Sequence, residues 1–182
     1  PVCLDEQEAL DRLGGLADVF LVHNRPIAHR ADDSVVRVMA GRMMMIRRAR
    51  GYAPMPLPGG VPVTDPVLAL GSHLKNTVAL ALNGRVIVSP HIGDLDTPEA
   101  RAGHDDARAT LTGLHRVHPA QVVRDLHPDF TPEAGALAVQ HHHAHALACL
   151  LDNDLSGPAL AVVWDGLGFG ADGTLWGGEF LR

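Results

Sequence analysis

The sequence predicts an α/β layer fold on three observations. Apolar runs of strand length alternate with stretches of helical spacing. Two dipeptides, Asn83-Gly84 and Asp172-Gly173, stand between apolar runs, where a tight hairpin needs residues that tolerate positive φ. Thr97 followed by Pro98 supplies an N-cap and a first helical residue with pre-set φ, so one helical stretch has a defined start.

The elements follow in chain order. Residues 4 to 17 carry Leu4, Leu10, Leu13 and Ala17 near helical spacing, and Asp5, Glu6 and Glu8 in the first turn complement the helix dipole. This predicts an amphipathic helix. "VFLV" reads as a short buried strand, and "HNRPIAHRADD" as a polar, turn-rich loop. "SVVRVMAGRMMMIRRARGY" predicts two strands, Val35 to Met39 and Met43 to Arg47, joined around Gly41. Residues 53 to 66 then hold five prolines and two glycines, too poor in donors for a helix or central strand. A linker is expected there, with a domain boundary near residue 60. The expected partition is residues 1–55, a linker at 56–66, and a second domain over 67–182.

Beyond the linker, "VLALGSHLKNTVALALNGRVIVS" gives three strand-like runs and predicts an antiparallel meander. "TPEARAGHDDARATLTGLHRV" is helical, "QVVRDL" a strand, and Glu133 to Leu151 mostly helical. "ALAVVWDG" reads as a buried strand ending at Asp165-Gly166, and the Asp172-Gly173 turn leads into "TLWGGEFL".

Composition excludes several classes of function. The chain has 182 residues, 46% of them hydrophobic, enough for a core in one domain or parts of two. Its net charge of −6, with twelve histidines counted neutral, provides no general basic field for nucleic acid or an anionic membrane. Cys3 and Cys149 are its only cysteines, too few for a disulfide framework or a thiolate zinc knuckle, which fits a reducing cytoplasm. No apolar run approaches the roughly 20 residues that span a bilayer. The chain opens "PVCLDEQEAL" without an initiator Met and stops at "WGGEFLR" after a strand-like run, so it reads as an excerpt from a longer protein.

The most informative stretch is "VQHHHAHALACLLDNDL", which packs His141, His142, His143 and His145 into five positions. On a helix, His141 and His145 share a face and can point at one ion. Asp165, at the carboxyl end of "LAVVW", is the natural third ligand, because ligands of α/β sheets collect at that edge. The same histidines also fit a polar helix start, and spacing alone does not choose. Such a ligand set suits Fe(II), Zn or Mn almost equally. "DGLGFGADG" is either a phosphate-approaching glycine turn or simply a tight one, and "GSHLKN", with Lys75 and Asn76, either holds an anion or faces water. In "IRRARGYAP", Arg48 and Arg50 share one strand face and Arg47 the other, so at most two grip one phosphate. Arg25 and Ser34 are candidates to complete such a pocket.

Taken in order, "HNRPI", "DDSVVRV", "RRARGYAP", "LKNTVALA", "HIGDLDTPEA", "DLHPDF", "VQHHHAHALAC" and "DGTLWGGEFL" resemble the hydrogenase-maturation carbamoyltransferases of the HypF family. The resemblance covers essentially the whole chain. It implies that residues 1 to 55 are the end of a YrdC-like adenylation domain, and that the second part begins an actin-like ATPase (ASKHA, RNase H-like) transferase domain. It implies ATP with Mg, carbamoyl phosphate, carbamoyl adenylate, and delivery of the carbamoyl group to the C-terminal cysteine of a HypE-type acceptor, with no membrane or nucleic-acid partner. His141 and His145 match the family's H-x-x-x-H metal ligands and Asp165 its strand-end carboxylate, with Fe or Zn as the metal. His23, Asn24, Arg25, Ser34, Arg47 and Arg50 match nucleotide-facing motifs of the first domain. Lys75, Asn76, Gly166 and Gly168 match phosphate-facing turns of the second, with Lys75 and Asn76 the expected catalytic pair. Leu167 departs from the pattern, standing where the family usually shows Thr in D-G-T-G. The earlier adenylation motifs and a further acidic ligand are expected outside the stretch, which on its own is expected to bind metal weakly and complete no reaction. Related O-carbamoyl or threonylcarbamoyl transferases use similar modules, and a non-catalytic metal-binding module is the other alternative. A YrdC-like part running directly into the transferase part is the HypF arrangement.

Overall fold

The structure is a computed structural model and describes residues 2–182. The first part holds helix α1 (Glu6–Leu13) and a two-stranded ribbon, β1 (Val35–Met39) and β2 (Arg42–Arg47). Asp5 caps α1 by accepting from Glu8 N–H, and Gly14 closes it. Ala40 and Gly41, at φ of 49° and 75°, make the ribbon's turn, as the apolar runs flanking Gly41 predict.

The second part is built on five strands: β3 (Val67–Ala69), β4 (Ala79–Leu82), β5 (Arg85–Val88), β6 (Gln121–Asp125) and β7 (Leu137–Val139). Their order is β5-β4-β3-β6-β7. The first three form the expected antiparallel meander, with Asn83 and Gly84 at φ of 50° and 73° in its hairpin. β6 joins β3 in parallel, and β7 joins β6 in parallel. A parallel neighbour requires a crossover. Helix α2 (Pro98–His115) lies in that crossover, and Thr97 caps it by accepting from Ala100 N–H. Leu68, Leu70, Val78, Leu80 and Ile87 of the meander and Leu111 of α2 form the core. Each fully buried side chain of this kind contributes about 1.5–3 kcal/mol.

Helix α3 (His141–Asp152) follows β7 directly. Two small antiparallel pairs complete the fold: β8 (Ala161–Val163) with β11 (Glu179–Leu181), and β9 (Gly168–Phe169) with β10 (Leu175–Trp176). The second is the expected Asp172-Gly173 hairpin, with Gly173 at φ of 80°. Asp172 Oδ1 accepts from Thr174 N–H, Thr174 Oγ1 and Trp176 Nε1, which pins the turn.

Three expectations are corrected. "VFLV" is neither a strand nor buried: Val19 and Leu21 are exposed, because no described strand lies beside this run to satisfy its backbone. The stretch from Glu133 is not helical until His141, because residues 137–139 pair with β6 instead. The strand before Asp165 is real, but Leu160, Val162 and Trp164 are exposed, since no described element covers that face.

Residues 53 to 66 hold no helix or strand and are mostly exposed, yet they touch β5. Leu57 N–H donates to Val86 O at 2.8 Å, and Pro56 bridges to Ile87. His91 N–H donates to Arg48 O, and Arg30 Nη1 to Glu99 O, so residues 30 to 57 rest on β5 and α2. Among the described residues no helix is long and apolar enough to cross a membrane.

Candidate metal centre

Three elements bring the site together. Asp125 ends β6, and its register partner on the parallel neighbour is Val139, so the chain leaves β7 one residue later beside the Asp125 carboxylate. Gln140 starts α3 by accepting from His143 N–H at 2.8 Å. His141 is therefore the first helical residue, and His145 lies one turn further on the same face. Asp165 arrives from the end of β8, where its Oδ1 accepts from Gly166 N–H at 2.7 Å.

His141 Nε2 lies 2.8 Å from Asp165 Oδ2 and 3.2 Å from His145 Nε2, and His145 Nε2 lies 3.8 Å from Asp165 Oδ2. A tetrahedral ion with bonds of about 2.0–2.1 Å holds its ligand atoms roughly 3.3 Å apart. The three observed edges scatter about that length. Asp125 explains why these atoms face one another. Its Oδ2 lies 2.7 Å from His141 Nδ1, so the ring proton belongs on Nδ1 and the Nε2 lone pair points into the triangle. Asp165 Oδ2 is buried against His141 Nε2 at 2.8 Å. With the Nε2 proton displaced, these two atoms and His145 Nε2 fit a cation held between them.

The electrostatics describe the site before an ion enters it, when the two carboxylates favour a protonated His141 whose Nε2 proton a cation has to displace. Burial pushes the Asp125 carboxyl up, but the hydrogen bonds from His141 and from His127 N–H outweigh it, and its pKa is lowered overall. His141 is raised, chiefly by its hydrogen bond to Asp125. His145 is lowered by burial and then by the charge of His141, which keeps its imidazole available as a neutral ligand. Beside the pair lies a cavity of about 350 Å³, walled in part by Gly71, Ser72, Thr77 and Ala144.

Residues 62–152, half of the chain, match the HypF Kae1-like domain. The chain belongs to the HypF family. It is 45% identical to a carbamoyltransferase HypF of Synechocystis sp. over 189 residues, and 42% identical to that of Rhizobium leguminosarum bv. viciae over 188. Both alignments cover all of this chain and 25% of the relative, so the chain spans about a quarter of the length of these HypF proteins. A solved full-length HypF in a phosphate- and nucleotide-bound form superposes with a TM-score of 0.89 at 39% identity, covering 99% of this chain and 30% of that one. HypF of T. kodakarensis superposes at 0.88, with 35% identity and coverages of 99% and 25%. The fold is thus the mixed α/β fold of HypF, with a Kae1-like, ASKHA-type domain over its second part.

Within this chain the expected residues fall into separate groups. Asn76 is buried, and its Nδ2 donates to Leu70 O at 2.9 Å and Ser72 O at 2.6 Å, so it props the loop that walls the cavity beside His141. Lys75, in the left-handed region at φ of 49°, donates its backbone N–H to Asp94 Oδ1. Gly166 adjoins Asp165, and Gly168 rests against His142. In the first part, His23, Asn24 and Arg25 wall a cavity of about 720 Å³ shared with α1, while Ser34, Arg47 and Arg50 lie outside its wall. Ser34 Oγ donates to Arg50 O and accepts from Ala49 N–H, Arg47 faces Asp32, and Arg50 faces Asp33. Arg48 is not a phosphate candidate beside Arg50, because its guanidinium donates to Tyr52 O and Met55 O.

Sequence reasoning missed Asp125 and Gln140, and it left His142 open between a support for the ligands and an exposed residue. Asp125 ends an apolar strand just as Asp165 does, and that shared signal was available in "QVVRD".

Proposed function

We propose that the chain is part of a carbamoyltransferase that uses carbamoyl phosphate and ATP and passes the carbamoyl group to a cysteine thiol of a HypE-type acceptor. The observation that carries the reading is the convergence of His141, His145 and Asp165 on one point, with both histidines inside the Kae1-like match, in a chain whose relatives are named carbamoyltransferases. In the first half-reaction water hydrolyses carbamoyl phosphate to carbamate and phosphate, a carbamate oxygen attacks the α-phosphorus of ATP, pyrophosphate leaves, and carbamoyl adenylate forms. In the second, the thiolate attacks the carbamoyl carbon, the carbon–oxygen bond to the adenylate breaks, and AMP leaves.

A divalent ion bound by His141, His145 and Asp165, Fe or Zn, would polarise a carbonyl or phosphoryl oxygen. Asp125 orients His141 and keeps its Nε2 directed at that ion. Gly166 N–H holds the Asp165 carboxylate by its other oxygen. Residues 1–55 are read as the end of a YrdC-like domain, 56–66 as the linker and 67–182 as the start of the transferase domain. Nucleotide contacts are assigned to His23, Asn24, Arg25, Ser34, Arg47 and Arg50 in the first, and to Gly166 and Gly168 in the second. A catalytic contact to the transferred group is assigned to Lys75, while Asn76, expected beside it, is buried with its amide donated to Leu70 O and Ser72 O and is read as holding that turn.

The test is carbamoyl-phosphate-dependent exchange of labelled pyrophosphate into ATP, in a protein that carries this chain within the length of its relatives. Carbamoyl transfer to an acceptor thiol follows, with a His141→Ala/His145→Ala variant beside it. Exchange that needs carbamoyl phosphate, with transfer lost in the variant, supports the reading. Absence of exchange from a folded, metal-loaded protein overturns it.

A further inference from the structure

The metal triangle draws its corners from two places: His141 and His145 lie on α3, and Asp165 lies on the loop that runs from β8 into β9. Its geometry therefore depends on what holds that loop against the helix. The contact is His142, wholly buried between the two ligand histidines in sequence. A Cβ on Gly168 would lie 2.6 Å from His142 Nδ1 and 3.1 Å from Nε2, with Cε1 closer still, so only glycine lets the loop rest on the ring. Gly168 does not have a left-handed φ, so its need for glycine is steric and not conformational. Trp176 of the following hairpin stacks on the same ring at 6.3 Å between centroids.

The hydrogen bonds fix which way the imidazole is protonated. Gln140 Oε1 accepts from His143 N–H, which settles the orientation of the amide. Gln140 Nε2 must then donate, and it reaches His142 Nδ1 at 2.8 Å and Phe169 O at 3.4 Å. His142 Nδ1 is thus an acceptor, and the proton sits on Nε2, which is buried without a partner. A buried unpaired N–H costs stability that an apolar side chain of similar size would not. What the imidazole provides in return is the Nδ1 acceptor that locks Gln140, the residue that both caps α3 and ties the helix to Phe169.

Resting on the reading of His141, His145 and Asp165 as a metal centre, we propose that His142 is a positioning residue for it. Its ring bears Gly168, and its Nδ1 locks Gln140, so helix and loop present their ligands at a fixed separation.

Two measurements test this. The first is urea unfolding of the metal-free chain as a double-mutant cycle. Gly168→Ala is expected to destabilise the chain strongly when His142 is present and much less in a His142→Ala background. Equal effects in both backgrounds overturn the bearing contact. The second is Co(II) titration followed through its visible d–d bands. His142→Ala is expected to bind at least tenfold more weakly with shifted bands. His142→Asn, which keeps an acceptor at the Nδ1 position, should recover most of the affinity, and His142→Gln should not. A folded His142→Ala chain with unchanged affinity and spectrum overturns the proposal alone. Absence of Co(II) binding by a protein that carries this chain within the length of its relatives, or binding that survives Asp165→Asn undiminished there, overturns the metal reading and the proposal with it.

Discussion

His141 Nδ1 lies 2.7 Å from Asp125 Oδ2, and this contact directs the other ring nitrogen at Asp165 and His145. An Asp125→Asn amide would turn a donor toward either the His141 ring N–H or the His127 N–H that Asp125 Oδ1 accepts. Zinc titration should show affinity lower by about 10–100-fold with the fold intact, the usual effect of removing a carboxylate behind a ligand histidine. Unchanged affinity would show that Asp125 serves only the β6 end.

His145 is half exposed, and its ring contacts are with His141 and Asp165. His145→Ala should therefore remove metal binding more completely than Asp125→Asn. The metal-free chain should change by about 0.5 kcal/mol or less, as for surface positions generally. Calorimetric titration beside thermal unfolding separates the two effects. A large stability loss without metal would assign His145 to the fold.

Asn76 separates a structural from a catalytic role. Its Nδ2 supports the carbonyls of Leu70 and Ser72 from a fully buried position. Asn76→Ala should cost about 1–3 kcal/mol, because buried carbonyls lose a donor. Denaturant unfolding of the metal-free chain measures it. A neutral substitution would show that Asn76 does not hold this turn.

His91 supplies a pH dependence. Burial, and then the charge of Arg47, holds its pKa below the ordinary histidine value of 6.5. Between the lowered folded value and 6.5 the unfolded chain binds more protons than the folded one, so stability rises with pH. The contribution is complete above the ordinary value and is lost as pH falls through the folded one. Urea unfolding at pH 7.5 and 5.5 should show a smaller difference in His91→Gln than in wild type. An identical difference would place the pH sensitivity elsewhere.

Features that depend on residues within a few positions of one another were legible in the chain itself. Thr97 and Pro98 start α2, Asn83-Gly84 closes the meander hairpin, and His141 and His145 share a helical face, because each depends only on local backbone geometry. The motif order from "HNRPI" to "DGTLWGGEFL" pointed to the HypF family on the same one-dimensional information.

Tertiary structure decided what depends on neighbours distant in sequence. Asp125 stands 16 residues from His141 and reaches it only because β7 pairs in parallel with β6. His142 reads like its exposed neighbour His143 but is wholly buried, because a glycine loop some 26 positions on closes over it. "VFLV" has a strand's composition, yet it stays exposed for want of a pairing edge. The sequence alone pointed to the local elements, to the two-histidine face with Asp165 as its third corner, and to the family. The supporting carboxylate Asp125 and the burial of His142 came from packing, since burial and cross-strand adjacency belong to surfaces that meet only after the chain has folded.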